Sequence, residues 1–186
     1  MTMISVQQAI MDRRSTRGFD STPLTDAEIQ TLVDAAVQSP SAMNRQPWHF
    51  AFVKDAAILA EFDKAGREYL AQNASEAMKA RFADPDYRLL MNAPLFVVIS
   101  TDQEGAFVGV DCGIAVENLA LSAMGLGLGS VIVGMPAEAF KSEKAAELKA
   151  KMGIPAENRY VIGIIIGHNT VTKEAHQVEP GRVSII

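Results

Sequence analysis

The chain has one cysteine, Cys112, in 186 residues. A lone cysteine excludes an internal disulfide, so a reducing compartment and a cytoplasmic location are expected. Basic residues are in the minority, 17 Lys and Arg against 22 Asp and Glu, for a net charge of −5 and a pI near 5.2. That balance argues against a nucleic-acid binder, which shows a broad basic face. Long apolar runs are missing too. The longest, "YVIGIIIG" at 160–167, falls well short of the roughly 20 residues that cross a bilayer. The start, "MTMISVQQAIMDRRS", is amphipathic and lacks the apolar core and small-residue cleavage site of a secretory signal. No membrane partner is expected. Repeats, low-complexity tracts and linkers are not visible, and 48% hydrophobic with 21% charged residues is ordinary globular composition. One domain over residues 1–186 is expected.

Side-chain constellations for hard chemistry are likewise missing. His49, His168 and His176 have no metal-ligand spacing, and no carboxylate or thiol set completes a metal site. Cys112 follows Asp111 and has no cationic neighbour in sequence to lower its pKa, so it reads as a small core residue. No strained, glycine-flanked serine suggests a triad. No catalytic side chain is predicted, and an enzyme built this way must borrow its chemistry from a cofactor.

Ser5 with Gln8, and Thr25 with Glu28, are capping-box pairs that open two helices. Residues 55–82 and 136–152 read as helices, and 110–124 as a helix apolar nearly all round. Such a helix lies at the centre of the fold or against a second subunit. "WHFAFV" (48–53), "LFVVIST" (95–101), "SVIVGM" (130–135) and "YVIGIIIG" read as strands, the second buried on both faces. This alternation predicts an α/β (α+β) layered fold, a small mixed sheet covered by helices. The glycine run "GLGLGS" at 125–130 follows a helix and opens a strand, the reverse of a dinucleotide-binding fingerprint. Gly125 is expected to end the helix in a left-handed conformation.

"RRSTR" places Arg13, Arg14 and Arg17 within five positions, with Ser15 and Thr16 between them. Guanidinium forks and hydroxyls suit phosphate oxygens, which makes this segment a candidate anion site. "SPSAMNRQPWHF" at 39–50 is a loop broken by prolines and turn formers, running into a strand.

These two segments, in that order and separation, together with "DCGIAVENLALSAMGLGLGSVIVGMP" and "MGIPAENRYVIGIIIGH", resemble the FMN-dependent nitroreductase family. The resemblance covers about residues 5–168 and is weakest over 55–90. It implies a nitroreductase-like fold, and a homodimer with its long buried helix and two FMN sites at the interface. Arg13 would hold a polar edge of the isoalloxazine ring, and Arg14, Ser15 and Arg17 the ribityl phosphate. Pro40, Ser41, Ala42 and Asn44 would reach the flavin of the partner subunit. The backbone at Val133 and Gly134 would present an N–H to flavin N5. The implied reaction is ping-pong hydride transfer from NADH or NADPH through FMN to a nitroaromatic, quinone or activated alkene. Alternatives are an FMN-binding store or sensor without turnover, or a specialised family chemistry such as reductive dehalogenation or flavin cleavage. Two departures stand out. Gly167-His168 replaces the family's common Gly-Tyr, and either Lys173 or Arg182 could supply the basic residue that the C-terminal tail often adds to the phosphate.

Overall fold

The computed structural model describes residues 4–186. Helix α1 (Val6–Asp12) begins where Ser5 Oγ accepts the Gln8 N–H at 3.1 Å. The reciprocal half of that box does not form, because the Gln8 amide turns to Asp12 at 2.7 Å. Helix α2 (Asp26–Val37) has both halves, with Glu28 N–H on Thr25 Oγ1 and Thr25 N–H on Glu28 Oε2.

Strands β1 (His49–Val53), β2 (Leu95–Thr101), β3 (Gly129–Val133) and β4 (Arg159–Gly167) form one sheet in the order β1-β2-β4-β3. Every strand pair is antiparallel. The sheet is thus less mixed than the sequence suggests, and the parallel element among the described residues is the isolated Ser15–Ser130 bridge. Both faces are covered. Leu95, Val97, Ile99, Ile164 and Ile166 pack with α2 and α5 (Val108–Gly125), while Phe96, Val98 and Ile165 join Phe62, Phe82 and Leu148 on the other side. This two-sided burial explains why β2, with all seven residues buried, reads as an uninterrupted apolar run. Each fully buried Leu, Ile or Phe contributes about 1.5–3 kcal/mol.

The segment expected as one helix over 55–82 is two, α3 (Ala56–Asn73) and α4 (Glu76–Ala83). Ala74 leaves helical geometry (ψ 170°), where the Asn73 side chain bonds back to the Tyr69 carbonyl and Ser75 starts the next helix. The expected helix at 136–152 is likewise divided, into a 3-10 segment (Met135–Lys141) and α6 (Ala145–Lys151). Ser142 marks the break, with its hydroxyl on the Ala139 carbonyl at 2.7 Å.

Helix α5 passes under the sheet and is long and apolar enough, by length and composition alone, to span a membrane. Here Cys112, Ala115, Leu119 and Ala123 lie in the core instead. It is not buried on every side in one chain. Val110, Ile114, Glu117, Leu121 and Met124 form a stripe that is exposed or half-buried. Helix α5 ends at Gly125, as expected, but the left-handed residue is Gly127 (φ 75°), two positions further on. Leu128 N–H reaches the Ala123 carbonyl and Gly127 N–H the Met124 carbonyl, the two bonds of a Schellman cap.

Candidate functional site

The arginine segment follows α1 and runs beside β3, the edge strand. Ser15 bridges Ser130, and Thr16 N–H donates to the Ser130 carbonyl at 2.9 Å. Gly129 makes this approach possible, since a Cβ there would stand 3.2 Å from the Thr16 methyl and 2.7 Å from Asn169 Cβ. The three guanidiniums are engaged differently. Arg13 Nε pairs with Glu117 of α5 at 3.5 Å. Arg14 donates to the Met11 and Arg13 carbonyls at 2.7 and 2.8 Å, closing the C-terminal end of α1. Arg17 is exposed and makes a 3.3 Å bond to the Ser15 carbonyl. Among the described residues neither Arg14 nor Arg17 has a carboxylate partner.

A depression of about 210 Å³ lies against this segment, lined by Arg13, Arg14, Thr16, Ser130 and Lys173. Of the two basic tail residues left open by the sequence, Lys173 therefore stands beside the arginines in one chain, and Arg182 does not line that depression.

Val133 and Gly134 lie at the other end of β3. Val133 is its last residue and pairs with Gly163, whereas Ser130 pairs with Ile166. They stand three positions apart along the strand, about 10 Å. Gly134 is exposed, and a Cβ built on it would meet nothing within 4 Å. The free edge of β3 thus carries cationic and hydroxyl donors at one end and open backbone at the other.

Pro40, Ser41, Ala42 and Asn44 sit elsewhere, at the N-terminal part of α5. No hydrogen bond or ion pair joins them to the arginine segment among the described residues. Met43, Asn44 and Gln46 all have positive φ (54°, 53° and 45°). Such conformations cost about 1–3 kcal/mol each in non-glycine residues and persist where surrounding bonds impose them. Those bonds are present: Ala42 N–H to Asp111 Oδ1 (3.1 Å), Gln46 N–H to Ser41 Oγ (2.9 Å) and Gln46 Nε2 to Asn44 Oδ1 (3.0 Å). Sequence reading missed Asp111, whose signal was an acid on the buried side of an apolar helix. It also missed Asn118, which donates to Ser39 Oγ at 2.9 Å.

Cys112 is a core residue, as expected. Burial and the neighbouring Asp111 push its thiol up to about 11, so no thiolate nucleophile forms near neutrality. A larger cavity of about 1090 Å³ lies between Phe19, Leu59, Arg67 and Leu95. None of the predicted site residues lines it. An edge-strand site is shallow on a single chain, so cavity size does not locate it.

The nitroreductase family model matches residues 10–168. An Archaeoglobus fulgidus protein carrying the provisional name NADH dehydrogenase/NAD(P)H nitroreductase is 32% identical over 173 residues, covering 91% of this chain and 88% of its own. The NADPH-flavin oxidoreductase of Vibrio harveyi is 24% identical over 184 residues, covering 96% and 71%. Among solved structures, a Desulfitobacterium hafniense nitroreductase with bound FMN superposes with a TM-score of 0.90 at 29% identity, covering 100% of both chains.

Proposed function

This chain belongs to the nitroreductase family, and from that premise we propose that it is an FMN-dependent oxidoreductase passing electrons from NADH or NADPH to a nitroaromatic, quinone or activated-alkene acceptor. The observation that carries the reading is the layout of the β3 edge, with a cationic, hydroxyl-bearing end and an open glycine backbone about three residues apart. That donor set fits an elongated molecule with a phosphate at one end and a flat, polar-edged ring at the other. Solved relatives named as FMN-bound support the same choice.

Arg14, Ser15 and Arg17 hold the phosphate through charge-assisted hydrogen bonds, which are stronger than neutral ones. Lys173 adds a cation beside them. Arg13, aimed by Glu117, meets a polar edge of the ring. Gly134 would present its backbone N–H to the ring. The chemistry that FMN would supply there is two-electron hydride transfer from NAD(P)H to the acceptor, in two half-reactions at one site. The protein's part would be to hold and orient the ring.

The site is shared between two chains. Pro40, Ser41, Ala42 and Asn44 of one protomer serve the flavin held by the arginines of the other. Support comes from the separation of the two groups in a single chain and from the strain held in the loop. It comes also from the apolar surface of α1 and α5, where Met11 is 60%, Phe107 60% and Val110 57% exposed. Exposed apolar side chains of this kind suit an interface.

The direct experiment is an anaerobic titration of the purified protein. It should be yellow, release FMN rather than FAD on denaturation, bleach with NADH or NADPH and recover its colour with a quinone. Protein that holds FMN but is bleached by neither nucleotide is a store or sensor. Protein that binds no added FMN at micromolar concentration contradicts the reading altogether.

A further inference from the structure

The Tyr160 hydroxyl donates to the Val133 carbonyl oxygen at 2.5 Å. Tyr160 lies on β4, three residues before Gly163, and its ring packs on Phe140 with centroids 5.8 Å apart. Burial raises the phenol well above its ordinary range, so the group stays a neutral donor at any pH the protein meets. Gly163 is what lets the hydroxyl arrive. A Cβ at 163 would stand 2.8 Å from Tyr160 Oη and 2.7 Å from Phe96 Cε2.

The carbonyl that Tyr160 grips belongs to the Val133–Gly134 peptide, which is trans. In a planar trans peptide the C=O and the following N–H point in opposite directions. A carbonyl turned to Tyr160 therefore turns the Gly134 N–H away from β4. The strand ends at Val133, which pairs with Gly163, so the ladder holds this peptide from one side only and Gly134 has no ladder partner. Two soft dihedrals remain, the ψ of Val133 and the φ of Gly134, and glycine opposes rotation less than any other residue. The bond from Tyr160 is a second restraint on the same orientation, and a Cβ on Gly134 would meet nothing within 4 Å.

From this we infer that Tyr160 is a positioning residue for the flavin: its hydroxyl locks the Val133–Gly134 peptide so that the Gly134 N–H faces the ring. The inference rests on the FMN reading above and adds a residue to it. Tyr160 does not line the depression beside the arginines. It acts through a backbone amide, and Gly163 is the space that its hydroxyl needs.

The test replaces Tyr160→Phe, which keeps the ring and removes one oxygen, and reads four properties: FMN dissociation constant, visible spectrum of bound FMN, anaerobic bleaching rate at saturating NADPH, and melting temperature. The expected result is FMN binding within about threefold of the parent, a shifted flavin band, and a bleaching rate lowered about three- to tenfold, the scale of one hydrogen bond. Gly163→Ala pushes a methyl against the same hydroxyl and should shift the band in the same direction. A Tyr160→Phe protein with a lower melting temperature but an unchanged band and rate overturns the inference, because the hydroxyl then serves only the fold. Failure of both variants to fold overturns it for the same reason. If the unmodified protein neither binds FMN nor bleaches, the functional reading itself fails, this inference falls with it, and the distinction is made before any variant is prepared.

Discussion

The amide of Ala42 donates to Asp111 Oδ1 at 3.1 Å, joining residues 69 positions apart. Through that bond a buried acid on α5 imposes the shape of a loop whose own backbone resists it. Asp111→Ala should therefore act twice. Loss of a hydrogen bond to a buried charged acceptor lowers stability by about 1.5–3 kcal/mol. Relaxation of Met43 and Asn44 from positive φ weakens FMN retention, by about tenfold. Asp111→Asn keeps an acceptor oxygen and should fall between parent and alanine variant. Denaturant melts and FMN titration of the three proteins check the order.

Arg17 is exposed, carries no carboxylate partner among the described residues and stands at the cationic end of the β3 edge. Arg17→Ala should weaken FMN binding about ten- to a hundredfold, the worth of one charge-assisted bond. Riboflavin, which lacks the phosphate, should bind parent and variant equally. Equal weakening of both flavins would remove Arg17 from the phosphate.

Val110 offers a cleaner probe of assembly than any core residue, because on one chain it is already 57% exposed. A substitution at such a surface position changes the stability of a single chain by no more than about 0.5 kcal/mol. In a dimer packed through α1 and α5, Val110→Arg puts a charge into the interface of each protomer. Light scattering should show a dimer for the parent and a monomer for the variant, with FMN lost on dissociation. A variant that stays dimeric moves the interface away from α5.

Asp63 gives a pH signature. It is buried, accepts the Leu90 N–H at 2.7 Å, and burial raises its pKa above the ordinary 3.8, with Arg88 and Arg67 opposing that rise only in part. A raised folded-state pKa means that the folded chain binds this proton more tightly than the unfolded chain. Stability from this group is thus fully present below about 3.8 and declines as pH rises through the folded value. Asp63→Asn keeps an acceptor and cannot ionise. The stability difference between variant and parent should shift in favour of the variant across that window and then level off. Parallel stability curves would show that Asp63 does not titrate differently in the folded chain.

The core was legible because both sheet faces are covered, so β2 from Leu95 to Ile99 and β4 from Val161 to Ile166 are continuous apolar runs that stand out without any alternation. The breaks inside 55–82 and 136–152 were not, since Asn73 and Ser142 interrupt helices through side-chain bonds to the backbone that composition does not reveal. Of the site, the arginines were readable as a cluster. That Arg14 also closes α1, and that Lys173 rather than Arg182 lies beside them, depends on where the chain folds back. Tyr160 and Asp111 escaped notice for a similar reason: each acts on a backbone group far away in sequence.

The claim that one flavin site is built from two chains is tested most directly by mixing. An Arg17→Ala protein and an Asn44→Ala protein, each weak in FMN binding, are combined and their subunits exchanged through partial unfolding. A mixed dimer then holds one doubly damaged site and one intact site, and at statistical exchange half of the dimers are mixed. FMN content and NAD(P)H-dependent bleaching should recover to about a quarter of the parent value. If mass spectrometry verifies exchange while both readouts remain at the level of the separate variants, each chain carries its own complete site and the shared-site account is wrong.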